Sequence, residues 1–112
     1  MKNRGYYVGT LRLERPWYSR SMKQGPLSKK GTGEYWYDYK GFYFVGNEAG
    51  RGLVIPSESM IRIEVGFWHG ITFSGTKILK IVWRSGREKL SSGFVVSQPE
   101  QVRQALITTG WA

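Results

Sequence analysis

Apolar and polar positions alternate with a period of two along most of this chain, the spacing of strands with one dry face and one wet face. Tyr6 to Leu13 is the first such stretch, with Tyr7, Leu11 and Leu13 sharing one face and Thr10 and Arg12 the other. Residues 14 to 33 lose the alternation and collect Pro16, Gly25, Pro26, Gly31 and Gly33, so a long loop is expected there. Glu34 to Tyr39 alternates strictly: Tyr35, Tyr37 and Tyr39 fall on one face and Glu34, Trp36 and Asp38 on the other. Lys40-Gly41 then reads as a tight turn into Phe42-Tyr43-Phe44-Val45, making a hairpin. Gly46 to Gly52 is a glycine-rich turn, and Leu53-Val54-Ile55 a short strand ended by Pro56, which has no amide to continue a central ladder.

Met60 to Val65 alternates Ile61, Ile63 and Val65 with Arg62 and Glu64 and reads as the fifth strand. Gly66 to Thr76 reads as a loop, Ile78 to Trp83 as a strand, Ser85-Gly86 as a turn, and Glu88 to Val96 as the seventh strand, with Leu90, Phe94 and Val96 on one face. The period then changes. Ser97-Gln98-Pro99-Glu100 has the spacing of a capping box, in which Ser97 would accept from the amide of Glu100. Val102, Ala105, Leu106 and Thr109 follow at helical spacing, and Gly110 is positioned to stop the helix. The expected fold is therefore mainly β: a seven-stranded antiparallel barrel or sandwich capped by one C-terminal α-helix.

Length makes this one domain over residues 1–112, since 112 residues can close a single core and are too few for two. The apolar fraction of 40% is too high for a disordered chain. With no cysteines, disulfides, thiolate chemistry and Cys-ligated zinc are excluded. No apolar h-region follows the basic N-terminus, and no run approaches the roughly 20 apolar residues of a membrane span. The expectation is a cytoplasmic protein, peripheral where a membrane is its target.

Charge changes the picture more than size does. The formal net charge is +9, and residues 1 to 30 hold eight Lys/Arg against the single acid Glu14, a net +7 in that segment. A positive field concentrated in one stretch attracts phosphate backbones, anionic lipid surfaces and acidic proteins.

The element order, seven strands and then one helix, resembles the pleckstrin-homology superfold over essentially the whole length, and in particular its bacterial PH-like and GRAM-like domains. Gly41-Phe42-Tyr43-Phe44-Val45, Leu53-Val54-Ile55-Pro56 and Ser59-Met60-Ile61 with Ile63 are similar to the middle of GRAM-like domains, and Ile78-Leu79-Lys80-Ile81 and Phe94-Val95-Val96 to their final hairpin. The resemblance implies a binding module of a bacterial type. It does not imply inositide specificity. Lipid-binding eukaryotic members carry a spaced Lys, Lys/Arg, Arg motif, whereas here Glu34-Tyr35-Trp36-Tyr37 follows Lys29-Lys30 without an arginine.

The candidate site is the basic loop and a second aromatic loop. Arg12, Arg15, Arg20, Lys23, Lys29 and Lys30 would attract an anionic membrane surface or an acidic protein partner, and Trp17, Tyr18, Phe67 and Trp68 would supply apolar contact. Two other readings stay open. The same cations could bind nucleic acid with Tyr35, Trp36 and Tyr37 as stacking residues, or the domain could serve self-assembly with no anionic ligand. His69 is the only histidine and has no second ligand at metal spacing, so no metal site is expected. Gly46 to Gly52 lacks the Lys-Ser/Thr of a phosphate-binding P-loop, and His69 with Asp38 lacks a nucleophile elbow. No cofactor and no catalysis are expected.

Overall fold

The structure is a computed structural model that describes residues 2–16, 19–20, 30–46, 52–69 and 72–108, without the side chains of Trp68 and residues 72–74. Its strands are β1 (Asn3–Arg12), β2 (Gly31–Asp38), β3 (Gly41–Gly46), β4 (Gly52–Pro56), β5 (Met60–His69), β6 (Thr72–Ser85) and β7 (Glu88–Val95), followed by the helix α1 (Pro99–Leu106). All pair antiparallel in one sheet of order β4-β3-β2-β1-β7-β6-β5. The expected barrel or sandwich is thus a single sheet that does not close, with β4 and β5 as its two edges.

The sheet is nevertheless strongly curled. β3 and β7 are three strand spacings apart, about 14 Å in a flat sheet, yet the rings of Phe42 and Phe94 lie 4.7 Å apart. The curl is centred on β1, which pairs with β2 through Asn3–Tyr7 and with β7 through Tyr6–Arg12. The register shifts between Tyr7 and Gly9, and Gly9 takes a φ of 126°, a conformation that favours glycine. An extra residue at this point bends the strand. It also moves Thr10 onto the buried side beside Tyr7, which corrects the expectation that Thr10 and Arg12 face away from it.

Inside the curl, Tyr7, Tyr35, Phe42, Phe44 and Phe94 form one aromatic cluster with Ile55, Ile63, Leu79, Ile81 and Leu90. A polar chain crosses the same interior. Tyr7 shares a hydrogen bond with Thr10, Thr10 Oγ1 with Ser92 Oγ at 2.7 Å, and Trp83 Nε1 donates to Ser92 Oγ at 3.0 Å. Burial pushes the Tyr7 hydroxyl up to about 12, against the opposing effect of its bonds to Thr10 and Ser92, so it stays protonated.

A short 3-10 turn, Ser57–Ser59, links β4 to β5 and is tied to the β2–β3 turn: Ser57 N donates to Lys40 O at 2.8 Å and Ser57 Oγ to Tyr39 O at 2.8 Å. That second turn is Tyr39-Lys40, with Gly41 already in β3, and Asp38 Oδ1 accepts from Lys40 N at 2.8 Å.

The helix begins one residue later than the capping box implies. Gln98 is the N-cap, with φ −137° and ψ 74°, and makes no side-chain cap. Pro99 explains the shift, because a residue before proline is kept out of helical conformation, so Ser97 cannot cap a helix running through Gln98. Val102 and Leu106 are buried as expected, and α1 lies on β5 and β6. Thr109 and Gly110 lie outside the described residues.

The expected loop over 66 to 76 is instead the far end of a long β5–β6 hairpin, reaching His69 and resuming at Thr72. Gly93 pairs with Lys80 and Lys80 with Glu64, so a straight β5 at about 3.3 Å per residue would carry His69 about 16 Å beyond Gly93. The hairpin therefore bends, and its end folds back so that His69 lies on the outer face of β7.

Candidate anionic-ligand surface

The segment after β1 is built from its own cations. Arg12 N donates to Arg20 O at 2.7 Å, Arg12 Nη2 to Ser19 O at 3.2 Å, and Arg20 Nε to Arg15 O at 2.9 Å. Leu13 N donates to Lys89 O at 2.9 Å and fastens the start of the segment to β7. Arg12 and Arg20 thus hold backbone carbonyls, while Arg15 is exposed at the surface. Arg12 Nε is buried and has no hydrogen-bond partner among the described residues. Trp17, Tyr18, Lys23 and Lys29 lie outside the described residues.

Lys30 is exposed and lies over β1, where its Cε would be 3.4 Å from any Cβ at Gly9. Close to it is His69, only 4% exposed, whose Nε2 donates to Ser91 O at 2.9 Å and is 3.3 Å from Ser91 Oγ. Loss of hydration lowers the imidazole to about 4, with Lys80 and Lys30 adding to the effect and the Ser91 carbonyl opposing it. His69 is therefore a neutral packing group. Among the described residues no group of three or more His, Asp or Glu could hold a metal ion.

Phe67 stands 44% exposed on the edge strand β5, and the backbone of Trp68 follows it in the same strand. These two are therefore strand residues and not loop residues.

The Tyr35-Trp36-Tyr37 triplet divides between faces. Tyr35 is 2% exposed in the aromatic core and Tyr37 packs against that core, leaving Trp36 alone on the outer face. There it stacks on Tyr43 of β3, with ring centroids at 5.3 Å and planes 14° apart, while Lys2 Nζ sits 4.9 Å from the Trp36 ring. The Tyr43 hydroxyl donates to Asp38 Oδ1 at 3.0 Å. This row across β1, β2 and β3 is a ladder of cross-strand contacts, and the triplet as a whole does not present one stacking surface.

A groove that no sequence run announces opens where β7 ends. β6 continues in the N-terminal direction beyond the Leu79–Phe94 pair, and β1 begins three residues before the Tyr6–Val95 pair. Between these two overhanging strands the chain leaves β7 and turns into α1. The resulting space, about 700 Å³, is lined by Arg4, Tyr6, Thr32, Thr76, Lys77 and Ser97 along its polar side. Gly5, Val95, Val96 and Pro99 also line it, and among the described residues no carboxylate does.

No protein-family model, curated protein or solved structure matches this chain.

Proposed function

We propose that this chain is a PH-like, GRAM-like binding module without catalytic activity, held to an anionic membrane surface by the cations of its first 30 residues. The observation that carries the reading is the lack of internal neutralisation of those cations that the structure describes. Among the described residues the one ion pair is Arg62–Glu64, 3.0 Å apart on exposed β5, so Lys2, Arg4, Arg12, Arg15, Arg20 and Lys30 meet no carboxylate. A surface that keeps its positive field attracts anionic headgroups at about 1 kcal/mol per cation close to the bilayer. Phe67 adds an exposed apolar side chain. The seven strands and one helix that carried the resemblance are the elements the chain adopts. No helix of the described residues is long and apolar enough to cross a membrane, so attachment would be peripheral. Sequestration of the only histidine against Ser91 supports a non-catalytic role.

Co-sedimentation with vesicles tests the reading. Phosphatidylglycerol-containing vesicles should pellet the protein at low salt and release it as ionic strength rises, while pure phosphatidylcholine should not. Changing Lys23, Lys29 and Lys30 together to Glu should weaken binding about a hundredfold. Equal recovery with both vesicle types, or no recovery at low salt, would leave an acidic protein as the partner to seek.

A further inference from the structure

We infer that the groove at the end of β7 is a discrete site for a small phosphomonoester, which shares only Arg4 with the cations that the membrane reading uses. β7 stops at Val95 while its neighbours β1 and β6 run on, so the two lips of the groove are two strand spacings apart, about 10 Å. That width leaves room for a phosphate group between the two strands.

The lips carry the chemistry such a group needs. Arg4 stands on β1 and Lys77 on β6, so the two cations approach from different strands. The guanidinium offers a planar fork of donors suited to phosphate oxygens, and the ammonium a compact point charge. Two positive charges match the nearly doubly charged monoester better than a singly charged diester. Hydroxyl-bearing Tyr6, Thr32, Thr76 and Ser97 line the same space. The organic part of the ligand would rest on Val95, Val96 and Pro99. The space, about 700 Å³ and open to solvent, is large enough for a small phosphorylated molecule.

Glu34 is the obvious internal competitor for Arg4, because the two are directly opposite in the β1–β2 register. They form no ion pair, and Glu34 does not line the groove. Among the described residues, Arg4 and Lys77 therefore share a space with no acid in its lining, although acids are near in the fold. Glu100, in the first turn of α1, is likewise outside the lining.

The test is an amide NMR titration of the whole chain at low ionic strength with inorganic phosphate, glycerol 3-phosphate and glycerol. Phosphate and glycerol 3-phosphate should give saturable shifts concentrated at residues 4–6, 76–77 and 95–97, and glycerol none. Arg4→Gln and Lys77→Gln should each weaken binding about tenfold, the effect of losing one charge-assisted contact, whereas Lys40→Gln, exposed at the β2–β3 turn, should leave it unchanged. Retained peak dispersion in each variant shows that the fold is intact. The ligand's source is read from vesicles: Arg4-dependent recovery on phosphatidic acid beyond that on phosphatidylglycerol assigns a lipid headgroup, and binding of glycerol 3-phosphate without that preference assigns a soluble phosphate. The Lys23, Lys29 and Lys30 reversal should leave the groove titration unchanged, so this site and the membrane reading fail separately. Absence of saturable shifts, or shifts insensitive to Arg4→Gln and Lys77→Gln, overturns the inference.

Discussion

Phe94 and Gly93 are neighbours in β7, yet they look onto opposite faces of the sheet, and what shields each is chemically different. Phe94 is fully buried among Tyr7, Phe42 and Phe44, with ring centroids 4.7 to 5.6 Å away. Gly93 is covered by His69, whose ring atoms would stand 3.1 Å from any Cβ added there. Buried Ile78 and Val82 belong to that second face, since alternation along β6 sets them opposite to Leu79, Ile81 and Trp83 of the main cluster. One region excludes water by shape alone. The other depends on an imidazole remaining neutral, so the two should respond differently to truncation and to acid.

Truncating Phe94 should have the largest effect. Replacement by alanine removes a ring that touches three others and leaves a cavity that a curled sheet cannot easily collapse into, for a loss of about 3–5 kcal/mol. Against a typical domain stability of about 5–15 kcal/mol that is a large fraction. Denaturant unfolding followed by tryptophan fluorescence would measure it, and the loss should be the same at pH 7 and pH 5. A loss under about 1 kcal/mol would mean that the sheet is not folded around Phe94.

The outer patch should instead be sensitive to acid. His69 binds its proton near pH 4 in the folded chain and near 6.5 when unfolded, so between those values the unfolded state holds more protons and stability rises with pH. The contribution is complete above about pH 6.5 and is lost as pH falls through 4, amounting to roughly 3 kcal/mol for a depression of this size. His69→Gln keeps an N–H donor for the Ser91 carbonyl and does not titrate. The difference in unfolding free energy between wild type and this variant should therefore vary with pH across that window, and a constant difference would show that His69 is solvated.

The same contrast explains how much of the molecule could be read from its sequence. The inner face was legible because alternation places Tyr35, Phe42, Phe44, Ile63, Leu79, Ile81 and Phe94 on one side of their strands, and a period of two survives without knowledge of partners. The outer patch was not. Gly66, Phe67 and Trp68 break the alternation at a register shift in β5, so the end of the hairpin looks like a loop. The shift at Tyr7–Gly9 likewise has no sequence mark beyond one glycine, and it turned Thr10 inward. The groove was hidden for another reason. Arg4, Thr32, Lys77 and Ser97 are isolated in sequence and meet only because β7 is shorter than both its neighbours. A search for runs of charge finds residues 12 to 30 instead, where Arg12 and Arg20 hold their own backbone.

The inner face also holds the polar chain Tyr7, Thr10, Ser92 and Trp83, which should give an intermediate effect. Ser92 accepts from Trp83 and bonds to Thr10 while being fully buried. Ser92→Ala strands the indole N–H in a dry interior, at a cost of about 1–3 kcal/mol. Adding Trp83→Phe removes that unmet donor as well, so the double variant should lose less than the sum of the two single changes. Strict additivity in a double-mutant cycle would show that the two side chains do not interact.

The smallest expected effect concerns the sheet's edge, where neither kind of burial operates. β5 pairs only with β6, and an edge strand offers unpaired backbone groups to any other chain. Arg103 of α1 donates from Nε to Ile63 O at 2.8 Å, so the helix both covers the inner side of β5 and holds one of its carbonyls. Arg103→Met keeps most of the aliphatic stem and removes the donor. It should lower stability by about 1 kcal/mol, the net worth of one partly exposed hydrogen bond from a charged group. The freed carbonyl should also make the protein more prone to concentration-dependent association, measured by sedimentation velocity across a dilution series. A stability loss without any association would assign Arg103 to helix docking alone, and association without a stability loss would make it a guard of the edge.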